Sequence, residues 1–252
     1  MYKKLYNVSW DHLLKIRSHI GHKNNKLNTK LNSYIYGTRH NVDIFDIEKI
    51  WKPFRYLFYS LVENVYKRNS FFLIGINNNL PMDSLIKNFV KSFKQNKLHY
   101  ASFYIKGYIT KKWVGGLFSN WKITLDFIKF MKQSSKINSK RYKKYLYYLK
   151  NVNEFKNNPT PDFLLVLNPN KEAIKESMNL QIPILGLVDS DTDPNNYLYK
   201  FFGNNDSIKN MNFFFSFLKE AIKEGRLKEQ QLFFFYLLIK LKKNINEKKI
   251  KN

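Results

Sequence analysis

A doubly wound, mostly parallel α/β sheet with an inserted helical hairpin is the fold class this sequence predicts, on three observations. Residues 71–76, 100–105, 163–167 and 184–188 are strand-length runs that are apolar on both faces, the pattern of a parallel sheet covered on both sides. Helical patterns separate these runs, so strand and helix alternate along the chain. Between the last two runs, Asn168-Pro169-Asn170 stops a strand and starts a helix over residues 171–180, with Asn170 as its cap. That is one right-handed crossover, so the strands at 163–167 and 184–188 are expected to be parallel neighbours, directly or across one strand.

In chain order, residues 10–16 make a short helix in which Trp10, Leu13, Leu14 and Arg17 fall at helical spacing behind a cap at Ser9. His19-Ile20-Gly21-His22 is expected to break it as a turn with hydrogen-bonded imidazoles. Two histidines at i and i+3 with no third ligand nearby argue against a metal there. Residues 34–46 alternate around a polar tip at 38–41, which reads as two short strands and a turn with Arg39 on the tip. An exposed guanidinium among aromatics suits an RNA phosphate as well as it suits a solvated loop.

Residues 46–67 form a long amphipathic helix with Asp46 and Glu48 at its positive start and Pro53 inside the pattern. Trp51, Phe54, Leu57, Phe58, Leu61 and Val65 make its apolar stripe. A helix over 83–95 buries Leu85, Ile86, Phe89, Val90 and Phe93, and a strand over 99–105 follows. Ser119 or Asn120 caps a helix running to Met131, which with a second helix over 139–152 makes the protruding hairpin. Residues 197–202 read as an edge strand. Residues 206–223 form a closing helix with Ile208, Met211, Phe215, Leu218 and Ile222 inward, and 227–252 an aromatic helix with a basic tail.

The chain has 252 residues, 44% of them hydrophobic, enough for a sizeable core, and a formal net charge of +25. The distribution is uneven: +7 over residues 1–40, +5 over 41–110, +10 over 111–160, −3 over 161–224 and +6 over 225–252. A polyanion is the partner such an excess implies. There is no cysteine, which excludes disulfides and thiolate metal sites.

A nucleotide-binding enzyme of this class would carry a glycine-rich phosphate loop after its first buried strand. Here Asn77-Asn78-Asn79-Leu80-Pro81 has no second glycine and no lysine. Asp189, Asp191 and Asp193 crowd a strand's carboxyl end, but Pro194 and Lys200 hold the positions where a calcium loop needs Gly and Glu. The aspartates are expected to cap turns. No cofactor, no metal and no catalytic set is expected. The longest strongly apolar run, residues 232–239, is too short to span a bilayer, so no membrane partner is expected, nor a homo-oligomer.

Residues 161–172, PDFLLVLNPNKE, lead through a helix to a strand opened by Ile182-Pro183 and to the turn DSDTDP at 189–194. This stretch resembles the family of small-subunit ribosomal protein two. HIGH at 19–22, YIYG at 34–37 and WVGGLFSNW at 113–121 resemble the family's HFGH, YIYG and WLGGxLTNW motifs. GNNDSI at 203–208 is similar to its glycine-asparagine turn, with Phe202 where the family usually has proline. The resemblance runs from residue 10 to 225.

It implies a flavodoxin-like sheet with a coiled-coil insertion, here shortened and unusually basic. It also implies a structural, non-enzymatic place in the small ribosomal subunit, bound to small-subunit rRNA and neighbouring ribosomal proteins. His19, Gly21, His22, Tyr34, Tyr36, Gly37, Trp113, Gly115, Gly116, Asn120, Trp121, Gly203 and Asn204 are then structural motif residues. Lys23, Lys26, Arg39, Lys111, Lys112 and Lys122 flank those motifs in the two segments that hold +17 of the charge, and are the candidate RNA contacts. The aspartate edge is expected to face away from RNA.

The chain divides into 1–110, the first part of the α/β domain with an RNA-facing N-terminal segment, and 111–157, the tryptophan signature and hairpin. The second part of the domain is 158–226, and 227–252 is the basic C-terminal helix and tail. Thirty-eight Lys against 6 Arg, with 31 Asn, are what an AT-rich genome encodes readily, so an organellar gene, with the protein in mitochondria, is expected. The basic N-terminus has the character of a transit peptide, but family-like residues from His19 leave little room for a removable leader. The alternative, a doubly wound nucleotide-binding enzyme or regulator, rests on topology alone.

Overall fold

Five parallel strands pair in the order β5-β4-β6-β7-β8: β4 is Phe71–Ile74, β5 Ile105–Ile109, β6 Phe163–Val166, β7 Ile184–Val188 and β8 Tyr199–Phe202. They come from a computed structural model that describes residues 10–95, 105–133, 140, 143, 147 and 160–251. The first strand lies inside the sheet, the next goes to one side, and the last three build outward on the other. The order in which strands are added therefore reverses between β4 and β6, where folds of this kind open a ligand crevice. β6 and β7 are direct parallel neighbours, with Leu164 opposite Ile184 and Val166 opposite Gly186. This is the doubly wound α/β architecture expected of the sequence.

One strand lies further along than expected. It occupies Ile105–Ile109, while 99–104 fall outside the described residues. Lys106 and Gly107 hid it by interrupting the apolar run. Lys106 Nζ donates to the Thr160 carbonyl at 2.6 Å, while Ile105, Tyr108 and Ile109 are buried. The pairing slips by one residue between Phe71 and Phe72, which accommodates the interruption as a bulge.

Helices cover both faces. On one face α2 (Ile47–Tyr66), α3 (Met82–Gln95) and α6 (Ile208–Lys251) bury Phe54, Leu57, Phe89, Met211, Phe214 and Leu218 against Leu73, Leu165 and Leu187. Asp46 caps α2, its Oδ1 accepting from Glu48 N at 3.1 Å and Lys49 N at 3.5 Å, and Pro53 lies within the helix. Asn170 caps α5 (Lys171–Asn179), accepting from Ala173 N at 2.9 Å. α5 packs on the other face with Trp113, Phe118 and Trp121.

The closing helix and the aromatic helix are one continuous 44-residue element rather than two, and Ile208 at its start is exposed, not inward. Gly225 does not end it, because that glycine sits where α6 crosses α2. A Cβ there would lie 2.8 Å from the Val62 carbonyl oxygen and from Val65. No helix among the described residues is long and apolar enough to cross a membrane. Ser9 and most of the second hairpin helix, 139–152, lie outside the described residues; Lys140, Lys143 and Tyr147 are helical.

After α1 (Trp10–Lys15), a small antiparallel sheet in the order β1-β3-β2 stands apart from the large one. It consists of β1 (Ile20–Lys23), β2 (Ile35–Arg39) and β3 (Val42–Phe45). The β2–β3 turn is as expected, and His40 and Asn41 take φ of 50° and 59° in its two-residue loop. Residues 19–22 are not a turn: all but His19 are strand, pairing Ile20 with Ile44 and Lys23 with Val42.

Candidate nucleic-acid interface

The small sheet is docked on the carboxyl edge of the large one by a clasp of charged side chains. Asp189, immediately after β7, is fully buried and accepts from Ser190 N at 2.6 Å and Asn205 N at 2.8 Å. His22 of β1 enters between two carboxylates. Its Nδ1 lies 3.2 Å from Asp189 Oδ2, and its Nε2 lies 3.3 Å from Asp206 Oδ2. The Asp189 contact, with Asp191 and Asp206 adding charge and burial opposing, pushes the His22 pKa up to about 9. His22 is therefore an imidazolium at neutral pH.

Alongside it the backbones touch. His22 N donates to Ser190 Oγ at 2.7 Å and Asn28 N to the Ser190 carbonyl at 2.8 Å. Gly21 permits this approach, since a Cβ there would lie 2.7 Å from Ser190 Oγ. Lys30 Nζ meets Asp193 Oδ2 at 2.6 Å and holds that carboxyl below the usual range. Asp43 of β3 is fully buried beneath the clasp, and burial, with Asp189 adding, raises its pKa.

The aspartates thus do cap and build turns, Asp193 accepting from Asn195 N and Asp191 from Thr192 Oγ1, each at 3.0 Å. The basic N-terminal segment meets them at His22 and Lys30. That segment lies across them, because opposite charge draws the two together. Hydrogen bonds also bridge the loops at the crevice between β4 and β6: Asn77 Nδ2 donates to Asp206 Oδ1 at 2.9 Å, and Asn168 Nδ2 reaches the Asn205 carbonyl at 3.5 Å. The Gly203-Asn204 turn is locked by Asp206 N on Asn204 Oδ1 and Asn210 Nδ2 on the Asn204 carbonyl, each at 2.7 Å. Phe202 stacks on Tyr34 with centroids 4.5 Å apart. Among the described residues no group of three or more His, Cys, Asp or Glu is arranged to hold a metal ion.

The tryptophan signature folds around a residue that the sequence did not single out. Glu176 of α5 accepts five hydrogen bonds from it: on Oε2 from Trp113 Nε1 at 3.0 Å and Gly116 N at 3.1 Å, and on Oε1 from Phe118 N at 2.8 Å, Ser119 N at 3.0 Å and Ser119 Oγ at 3.1 Å. Trp113 is buried with its ring edge-on to Phe118 at 5.3 Å, and Trp121 is buried at the start of α4 (Trp121–Gln133). Asn120 holds the cap position of α4, its carbonyl accepting from Thr124 N at 3.1 Å. The tryptophans are thus anchors of this loop. The only sequence trace of Glu176 is its place three residues from buried Ala173, at the margin of the α5 stripe.

The six candidate RNA contacts are all exposed, and among the described residues none is in an ion pair. Lys23 and Arg39 flank Val42 from its two neighbouring strands, with Lys26 in the turn after β1. Lys111 and Lys112 follow β5, and Lys122 lies on α4. Of the motif tyrosines, Tyr34 is half-buried while Tyr36 is 81% exposed.

A doubly wound sheet whose carboxyl edge is crossed by its own small N-terminal sheet is the architecture that these residues build. Residues 13–225 match the family described as Ribosomal protein S2. The chain belongs to the ribosomal protein S2 family. It is 27% identical over 241 residues to the small ribosomal subunit protein uS2 of Rickettsia felis, and 26% identical over 239 residues to that of Rickettsia typhi. In both cases 88% of this chain and 77% of the relative are covered.

Proposed function

We propose that this protein is a structural constituent of the small ribosomal subunit, binding small-subunit rRNA and neighbouring ribosomal proteins in translation. Family membership supports the role, and one observation carries the RNA contact. Lys23, Lys26, Arg39, Lys111, Lys112 and Lys122 are exposed and, among the described residues, in no ion pair, and they stand beside the His22 clasp and the Glu176-bound loop. Exposed cations of this kind are suited to phosphate.

The test is the salt dependence of binding to small-subunit rRNA. Replacing all six by Gln should flatten the log–log slope by about 4, at about 0.7 per single-strand phosphate. An unchanged slope refutes the assignment. Mitochondrial residence is supported by the Lys, Asn, Phe and Tyr bias of the sequence. Cosedimentation with mitochondrial rather than other small subunits tests it.

A further inference from the structure

Between the first half of α2 and the outer strand β8 runs a groove of about 330 Å3, lined on one side by Lys49, Lys52 and Tyr56 and on the other by Leu198, Tyr199 and Lys200, with Tyr34 also lining it; of its lysines, Lys49 is paired with Asp46 Oδ2 at 3.2 Å. None of the six candidate RNA contacts lines it. Lys52 is exposed and Lys200 half-buried, and among the described residues neither has an acidic partner. This sets them apart from Lys30, Lys87 and Lys228, each held by a carboxylate. Burial lowers the Lys200 pKa and no neighbouring charge offsets it. A cation kept half out of water with no counter-charge is matched by an incoming anion. Beside it Tyr56 is 56% exposed and Leu198 62% exposed.

We infer that this groove seats unpaired nucleotides of an RNA strand, with phosphate against Lys52 and Lys200 and a base stacked on Tyr56 or Tyr199. Flat rings alternating with ammonium groups are the chemistry of single-strand binding. An extended acidic peptide pairing with the outer strand is the less suited occupant, since a lysine on an edge strand opposes strand addition. The inference rests on the RNA-binding reading above but uses separate residues.

The test uses the full chain and a short oligouridylate carrying 4-thiouridine, with polyglutamate as competitor. Ultraviolet cross-links are expected at Tyr56 or Tyr199. Tyr56→Ala should weaken binding by about fivefold to a hundredfold, from the cost of one lost base stack, while Tyr56→Phe keeps it. The pair Lys52→Gln and Lys200→Gln should flatten the salt slope by about 1.4 with the thermal midpoint unchanged. If this pair leaves the slope unchanged while the six-cation variant flattens it, the groove is not an RNA site and the wider reading stands. If neither variant changes binding, both fall. Cross-links absent from the groove while polyglutamate protects it would make an acidic peptide the occupant and overturn the proposal.

Discussion

Replacing Glu176 by alanine strips the acceptor from five donors at once, and the structure indicates which of them will be costly. Trp113 is 2% exposed and Phe118 4% exposed, so Trp113 Nε1 and Phe118 N cannot turn to water. Ser119 is exposed and Gly116 half-buried, so their groups can be rehydrated. A buried donor left without a partner costs about 1–3 kcal/mol, which puts Glu176→Ala at about 2–6 kcal/mol. Glu176→Gln keeps one oxygen but turns an amide NH2 toward donors that need an acceptor, and should lose about half as much. Urea unfolding followed by tryptophan fluorescence reads this directly, since Trp113 and Trp121 report on the loop; the midpoint should fall with the slope unchanged. A Glu176→Gln protein within about 0.5 kcal/mol of the parent would mean that the loop is held by its ring packing, and the reasoning would be wrong.

Stability should also depend on pH through His22. Its folded pKa of about 9 stands above the ordinary 6.5, so its contribution is fully present below pH 6.5 and is lost as pH rises through 9. The difference corresponds to about 3 kcal/mol, and a pH series of unfolding curves should show a decline over that window which His22→Gln lacks. Gly21→Ala should push β1 off Ser190 at a cost of about 1–3 kcal/mol, given a Cβ 2.7 Å from Ser190 Oγ. Limited proteolysis should then cut residues 19–45 faster while the large sheet stays protected; equal protection would show that Ser190 simply rotates away.

The strands at 163–166 and 184–188, the Asn170 cap and the hairpin around His40 were legible because each is set by local chemistry: two-faced apolar runs, a capping amide and a polar tip. What escaped depended on partners far along the chain. β1 reads as a turn because its glycine and histidine have strand character only against β3 and Ser190. β5 was obscured by Lys106, whose ammonium is satisfied by a carbonyl 54 residues away. The helices expected at 206–223 and 227–252 are continuous through Gly225, whose contact with Val62 joins two helices and has no local signal. Of the site, the motif residues were visible, but neither the Glu176 acceptor nor the His22 bridge could be, since both are defined by who meets whom. Counting charge by segment separated the aspartates from the N-terminal lysines, and electrostatics brought them back together at Lys30 and Asp193.

The clasp at His22 has a consequence for how the protein is made. Its carboxylates, Asp189 and Asp206, are synthesised long after the imidazole they hold. At about 5–20 residues per second, β1 waits roughly ten to forty seconds before Asp206 has been added. During that interval a segment with a charge of +7 over its first 40 residues is in the cell without the acids that later restrain it. Any polyanion it meets then competes with the chain's own unfinished sheet, so the order of synthesis gives RNA the first opportunity to bind.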